Sequence, residues 1–418
     1  MIKPSPVRHL RIGVAAVAAG LVAGGFAVAF RVAQELVFRH LYRAPDVLRA
    51  FSTLPRVLRL LVPAAGGAIA AGLSAWIGGP RSMAEIMEAV AAAGRRISLR
   101  SSLLKAVASF AAIASGGSLG REGPLLHFGA AAASAIGGRA RLDEAHVRVL
   151  IAAGTAAGFA AAYNTPIAAV LFVVEIVAGT TAVELALPAL VATTVATLLT
   201  RTALGPGPLY GLRTFSLQSQ SELLAYAGMG VVTGAGGALF LALLEMGRKL
   251  FTQLPVPAAV RGGLGGLVVG LFALRFAEVT GNGYETIQLI FDAHYSAAMV
   301  AALFVVKSLG TTASVSSGSP GGVFTPSLFL GAALGALCGA AARAIWPAPG
   351  YPGGYVLVGM AGVIASTTRA PIMASVLGFE LCGDYAIVLP LFIATAVSTA
   401  VSDRLHPVSI YQAEQPRD

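Results

Sequence analysis

The sequence predicts an all-α polytopic membrane protein built from two repeats of tilted, partly broken helices. Three observations carry this. Only 11% of the 418 residues are charged and 56% are hydrophobic, whereas a soluble domain carries roughly 25% charge. Charge-free runs long enough to cross a bilayer recur along the whole chain. An ordered set of Gly, Pro and Glu appears twice at a near-constant spacing.

A chain this poor in charge cannot cover a soluble surface. Disorder and collagen are excluded by composition, and a disulfide scaffold by the presence of only two cysteines. The 50 glycines exceed the roughly 7% average, which suits close helix packing and interrupted helices in a membrane. A net charge of +10 raises nucleic acid as a partner. The basic residues lie between apolar runs, however, so loop ends and lipid headgroups are their expected surroundings.

Runs at residues 12–30, 60–80, 149–174, 185–200, 223–244, 308–342, 344–368 and 385–402 are candidate spans, since about 20 apolar residues cross a bilayer. Shorter pieces at 106–120, 123–138 and 293–306 read as broken helices buried in protein. The first run follows Lys3, Arg8 and Arg11 and ends at an Arg. It reads as a membrane helix with a cytoplasmic N-terminus rather than a cleaved leader. No soluble regulatory domain is expected after the last run.

Gly120-Arg121-Glu122-Gly123-Pro124, with Gly129 and Gly137, matches Gly322-Val323-Phe324-Thr325-Pro326, with Gly331 and Gly339. Further on, Gly154, Pro166-Ile167 and Glu175 match Gly359, Pro371-Ile372 and Glu380. The chain therefore divides into an N-terminal half, 1–205, and a C-terminal half, 206–418, that descend from one unit. Repeats in a membrane protein place a binding site at mid-depth between two halves. Whether the halves are inverted depends on the number of crossings in each.

Glu122 is the most informative residue. An acid at this depth is costly and functional by default. Pro124 suits a first helical turn, and the flanking glycines leave backbone N–H groups open. A helix N-terminus binds anions, so the carboxylate of Glu122 and a solute anion compete for one place. Protonation of Glu122 releases it, which makes a gate sensitive to pH and to anions. The bland alternative is a structural ion pair with Arg121. The second motif repeats the design without the acid, and the amides of Val323 and Phe324 can face the same anion. Partial charges bind weakly enough for throughput, where a lysine would trap the ion.

These motifs resemble those of the CLC chloride channels and chloride/proton antiporters: Gly120 to Pro124 in one half, Gly322 to Pro326 in the other, and His406-Pro407-Val408-Ser409-Ile410-Tyr411 near the C-terminus. The resemblance spans essentially the whole chain and is strongest to the short bacterial B-type members. It implies two inverted halves, the CLC fold, a homodimer with one pore per subunit, and residence in the bacterial inner membrane. It implies chloride as the bound substrate ion and no cofactor. It casts Glu122 as the gate, and Arg121, Glu122, Gly123, Val323, Phe324 and Tyr411 as anion-binding groups.

Two departures stand out. Pro80-Arg81-Ser82 occupies the place of a coordinating-serine motif, so Arg81 or Ser82 stands where that serine would be. Arg81 either draws anions or is a solvated helix-start charge. Proton-coupled members often carry an acid where this chain has Ile176, so Glu175 is either a proton relay or a structural acid. A voltage-gated-like channel is the leading expectation and a chloride/proton antiporter the alternative. Retention of Pro124 argues against fluoride. Gly116-Gly117-Ser118-Leu119-Gly120 also matches the hydrolase elbow, which makes a membrane serine hydrolase a remote alternative. No Cys/His cluster points to a metal, and no phosphate-binding loop points to ATP, so no enzyme is expected.

Overall fold

A computed structural model describes residues 6–79, 82–92, 94–178, 183–217, 219–345 and 352–414. These form seventeen α-helices and no extended sheet among the described residues. They are α1 (Pro6–His40), α2 (Val47–Thr53), α3 (Arg56–Trp76), α4 (Ser82–Ala91), α5 (Leu99–Ala114), α6 (Glu122–Arg139), α7 (Glu144–Tyr163), α8 (Pro166–Phe172) and α9 (Val183–Leu204). There follow α10 (Glu222–Thr252), α11 (Ala258–Ala273), α12 (Tyr284–Phe291), α13 (Ala297–Ser316), α14 (Phe324–Ile345), α15 (Pro352–Thr368), α16 (Pro371–Cys382) and α17 (Val388–Leu405). Eight helices are long and apolar enough to cross a membrane. Large apolar side chains such as Leu187, Leu198, Leu239, Val305 and Leu389 lie exposed along them, as a lipid-facing surface requires. The chain is an integral membrane protein.

Two compact units divide the chain. One comprises Met1–Val32, Arg81–Ala106 and Glu122–Leu209; the other comprises Ala33–Pro80, Val107–Arg121 and Tyr210–Asp418. In the first unit α6 and α7 touch through glycine: a Cβ on Gly129 would lie 2.2 Å from the Gly154 carbonyl oxygen. Helix α7 ends at Asn164, whose φ of 60° is left-handed, and Pro166 then opens α8. Asn is one of the few non-Gly residues that adopts this region readily, and a Pro two residues on cannot continue the helix, so the break is written locally.

The second unit repeats both devices. A Cβ on Gly331 would lie 2.4 Å from the Gly359 oxygen, between α14 and α15. Helix α15 is followed by Arg369, with φ 62°, and Pro371 then opens α16. Thr165 (φ −126°, ψ 80°) and Ala370 (φ −124°, ψ 74°) share one backbone conformation at the matched breaks.

Three expectations about spans are corrected. The run 149–174 is not one span but the end of α7, a break at Asn164, and α8 with its π-helical turn. The run 308–342 is two helices, α13 and α14, separated by a turn with Gly318 at φ +94°. The piece 293–306 is not a separate short helix but falls largely within α13. Lys307 is what split that helix in the charge-based reading.

Candidate anion-conducting site

The two glycine-rich motifs pair directly. Gly120 N–H donates to the Gly322 oxygen at 2.7 Å, and Gly322 N–H donates to the Gly120 oxygen at 2.8 Å. This is an isolated antiparallel bridge. Two residues beyond each bridged glycine a helix begins, α6 at Glu122 and α14 at Phe324. Packing requires glycine here: a Cβ on Gly321 would lie 2.7 Å from the Cβ of Leu119.

The segments leading into the bridge are tied together as well. Helix α5 ends in a turn with Gly116 at φ +87°, where a Cβ would meet the Phe51 ring at 2.3 Å. Ser118 N–H donates to Ser314 Oγ at 3.2 Å, and the Ser118 and Thr311 hydroxyls lie 2.9 Å apart. Ser118 is fully buried and follows a helix, not a strand. The hydrolase reading of this segment fails on that geometry.

Arg121, Val323, Phe324 and Tyr411 all belong to the second unit, and all are buried. The guanidinium of Arg121 sits over the Tyr284 ring, 4.6 Å from its centroid, a favourable cation–π contact. Tyr411 follows Ile410, whose N–H donates to the Thr367 oxygen at 2.9 Å. That bond anchors the C-terminal segment to the end of α15. Glu122 is only 3% exposed; with Gly123 it forms the first turn of α6.

The bridge thus joins the Arg121 and Val323 segments. The other expected residues take separate places. Ser82 is the first residue of α4, whereas Arg81 lies outside the described residues. Glu175 is half-buried in a single π-helical turn, Val173–Val177, that continues α8. Ile176 in the same turn is buried.

Sequence reasoning missed two buried lysines. Lys307 is 1% exposed and donates to the Val279 and Gly281 oxygens at 3.0 and 2.8 Å. Its Nζ lies 5.3 Å from the Phe329 ring centroid. Lys105, also buried, reaches Glu85 at 2.5 Å. The repeat held the clue: each lysine stands at the same distance before its bridged glycine, and the pairs Lys105/Lys307 and His127/Phe329 share the offset of Gly120/Gly322.

Paired glycine motifs that open buried helices, within a scaffold of broken membrane helices, define a membrane ion-transport protein. The family model described as voltage gated chloride channel matches residues 66–403, and the chain belongs to that family, the CLC proteins. It is 40% identical over 369 residues to a putative chloride channel protein ClcB-like of Ralstonia nicotianae, covering 86% of this chain and 85% of that one. It is 34% identical over 406 residues to the voltage-gated ClC-type chloride channel ClcB of Citrobacter koseri, covering 94% and 95%. The fold matches a slow cyanobacterial Cl−/H+ antiporter with a TM-score of 0.86, at 23% identity over 96% of both chains. It also matches a CLC-type fluoride/proton antiporter with a TM-score of 0.80, at 24% identity over 99% and 100%. The protein carries out CLC-type chloride transport and is not an enzyme.

Proposed function

We propose that chloride is held by backbone amides of the paired motifs, namely those of Arg121, Glu122, Gly123, Val323 and Phe324, and by the Tyr411 hydroxyl. Glu122, one peptide bond beyond Arg121, is the gate. Ionised, its carboxylate occupies the anion's place; protonated, it gives that place up. The observation that carries this reading is the reciprocal Gly120–Gly322 hydrogen-bonded pair. It fixes two N–H-rich segments side by side and costs no reorganisation when an ion arrives. Ser82, at the start of α4, is a further anion contact in this reading, and so, from the sequence alone, is Arg81.

Passive, gated flux is the mode best supported, because the apolar Ile176 stands where a proton-carrying acid would be needed. Proton-coupled exchange is the second reading. It is favoured by Glu175 lying in a π-helical turn, a deformation that clusters at functional sites. The working form is a homodimer in the bacterial inner membrane with one pore per subunit, each built of the halves 1–205 and 206–418.

Reversal potentials of purified protein in proteoliposomes, under opposed chloride and proton gradients, separate the modes. Passive flux reverses at the chloride Nernst potential. A reversal that moves with the pH gradient establishes exchange and overturns the channel reading.

A further inference from the structure

Helix α6 carries a second titratable side chain that the gate leaves unused. His127 is 1% exposed. It follows Glu122 by five residues, about 7.5 Å along the helix axis at 1.5 Å per residue. Its Nε2 lies 2.8 Å from Glu85 Oε2, and its Nδ1 2.7 Å from Ser102 Oγ. A carboxylate only accepts, so Nε2 carries a hydrogen and donates to Glu85. In the neutral ring Nδ1 accepts from the Ser102 hydroxyl. That hydroxyl also lies 3.4 Å from the His127 carbonyl oxygen. It has somewhere to turn when Nδ1 gains a proton, so the ring can be protonated without losing either partner.

The cluster is open on one side. Glu85 is 41% exposed, while His127 and Lys105 are almost wholly buried. Solvent therefore reaches the edge of the cluster at Glu85. The charged groups facing the imidazole are Glu85 from α4 and Lys105 from α5. From α7, Arg148 directs its guanidinium to the Val90 oxygen at 2.6 Å. From the segment before α5, Arg96 directs its own to the Ser134 oxygen at 3.4 Å. On its own helix the acid is Glu122. Glu85 and Lys105 cancel, so the cluster's net charge is set by His127 alone.

We infer that His127 is a second proton-binding site on the gate helix and that its charge tunes the gate at Glu122. The inference rests on Glu122 being the gate. A unit charge at roughly 10 Å, with an effective dielectric near 20, moves a neighbour's protonation by about one pH unit. An imidazolium favours the ionised, closed form of Glu122.

The test is chloride flux against pH in proteoliposomes for the wild type, His127→Gln and Glu122→Gln. Glutamine keeps a donor for Glu85 and an acceptor for Ser102 but does not titrate, so a purely structural role predicts no change. We expect His127→Gln to move the activation midpoint up by about one pH unit and Glu122→Gln to be flat. A His127→Gln profile that superimposes on the wild type, beside a flat Glu122→Gln profile, overturns the proposal and leaves the gate standing. A pH-dependent Glu122→Gln profile instead removes the gate, and the proposal with it. Should His127→Gln not fold, the wild type labelled with 15N in its imidazoles decides. An exchange-protected ring that titrates between roughly pH 4 and 8 around the reference value supports the site, and one that stays neutral overturns it.

Discussion

Two residues carry most of the proposed chemistry, and each has a near-isosteric substitution that removes one functional group. Glu122→Gln mimics the protonated acid in shape and hydrogen bonding. Flux should persist while its dependence on pH between about 4 and 8 disappears, read as chloride efflux from proteoliposomes. Persistence of the pH dependence would remove the gate assignment. Tyr411→Phe removes one hydroxyl and no packing volume. It should weaken chloride binding by up to about tenfold, the equivalent of roughly 1.4 kcal/mol for one hydrogen bond. Isothermal titration with chloride reads this directly, and unchanged affinity would place the hydroxyl outside the anion site. Phe324 offers no such clean test. It is 1% exposed, and truncating a buried Phe costs about 3–5 kcal/mol, so folding and transport would fail together.

The helices are held by close backbone approach more than by side-chain interdigitation, and this makes glycine position decisive. Gly129→Ala would place a Cβ 2.2 Å from the Gly154 oxygen, and Gly331→Ala one 2.4 Å from the Gly359 oxygen. Both contacts are backbone, so the helix pairs must separate. Each substitution should cost about 1–3 kcal/mol, the range for overpacking. Gly13→Ala in α1 meets nothing within 4 Å and should stabilise by about 0.5–1 kcal/mol through helix propensity. Thermal unfolding in detergent ranks the three, and equal effects at Gly13 and Gly129 would refute the close-packing account. A smaller effect lies in the segment before α10. Arg213 Nη2 donates to Asp292 Oδ1 at 2.9 Å, tying that segment to the end of α12. Burial pushes the Asp292 carboxyl up, but hydrogen bonds from Arg213 and Gln288 outweigh it and hold it below its ordinary value. A depressed carboxylate stabilises above the unfolded value near 4 and loses that contribution as pH falls through the folded value. The melting difference between wild type and Asp292→Asn should therefore close below about pH 4.

At the scale of the whole molecule, the class and the paired motifs were legible in the sequence because each rests on a local rule. Charge scarcity excludes a soluble surface, and an acid between glycines before a proline marks a helix start. The repeat aligned Pro166-Ile167 with Pro371-Ile372, where the structure has matched breaks at Asn164 and Arg369, but the charge-free run 149–174 reads straight through the first of them. What was not legible depends on partners distant in sequence. Glu85, Lys105 and His127 lie on three helices, and none falls in a motif. The 308–342 run hid a break, because Gly318 and Pro320 do not interrupt an apolar composition even though they end a helix. The paired motifs also carry a thermodynamic consequence. An anion that binds the folded chain and not the unfolded one stabilises it by mass action, about 2.7 kcal/mol at a hundredfold excess over Kd. Chloride should therefore raise the melting midpoint in a saturable way that gluconate at equal ionic strength does not reproduce. In Glu122→Gln the carboxylate no longer competes, so half-saturation should fall to a lower chloride concentration. Identical midpoints in chloride and gluconate would mean that the amides of these motifs hold no ion. An unchanged half-saturation in Glu122→Gln would mean that the carboxylate and the anion do not share one place.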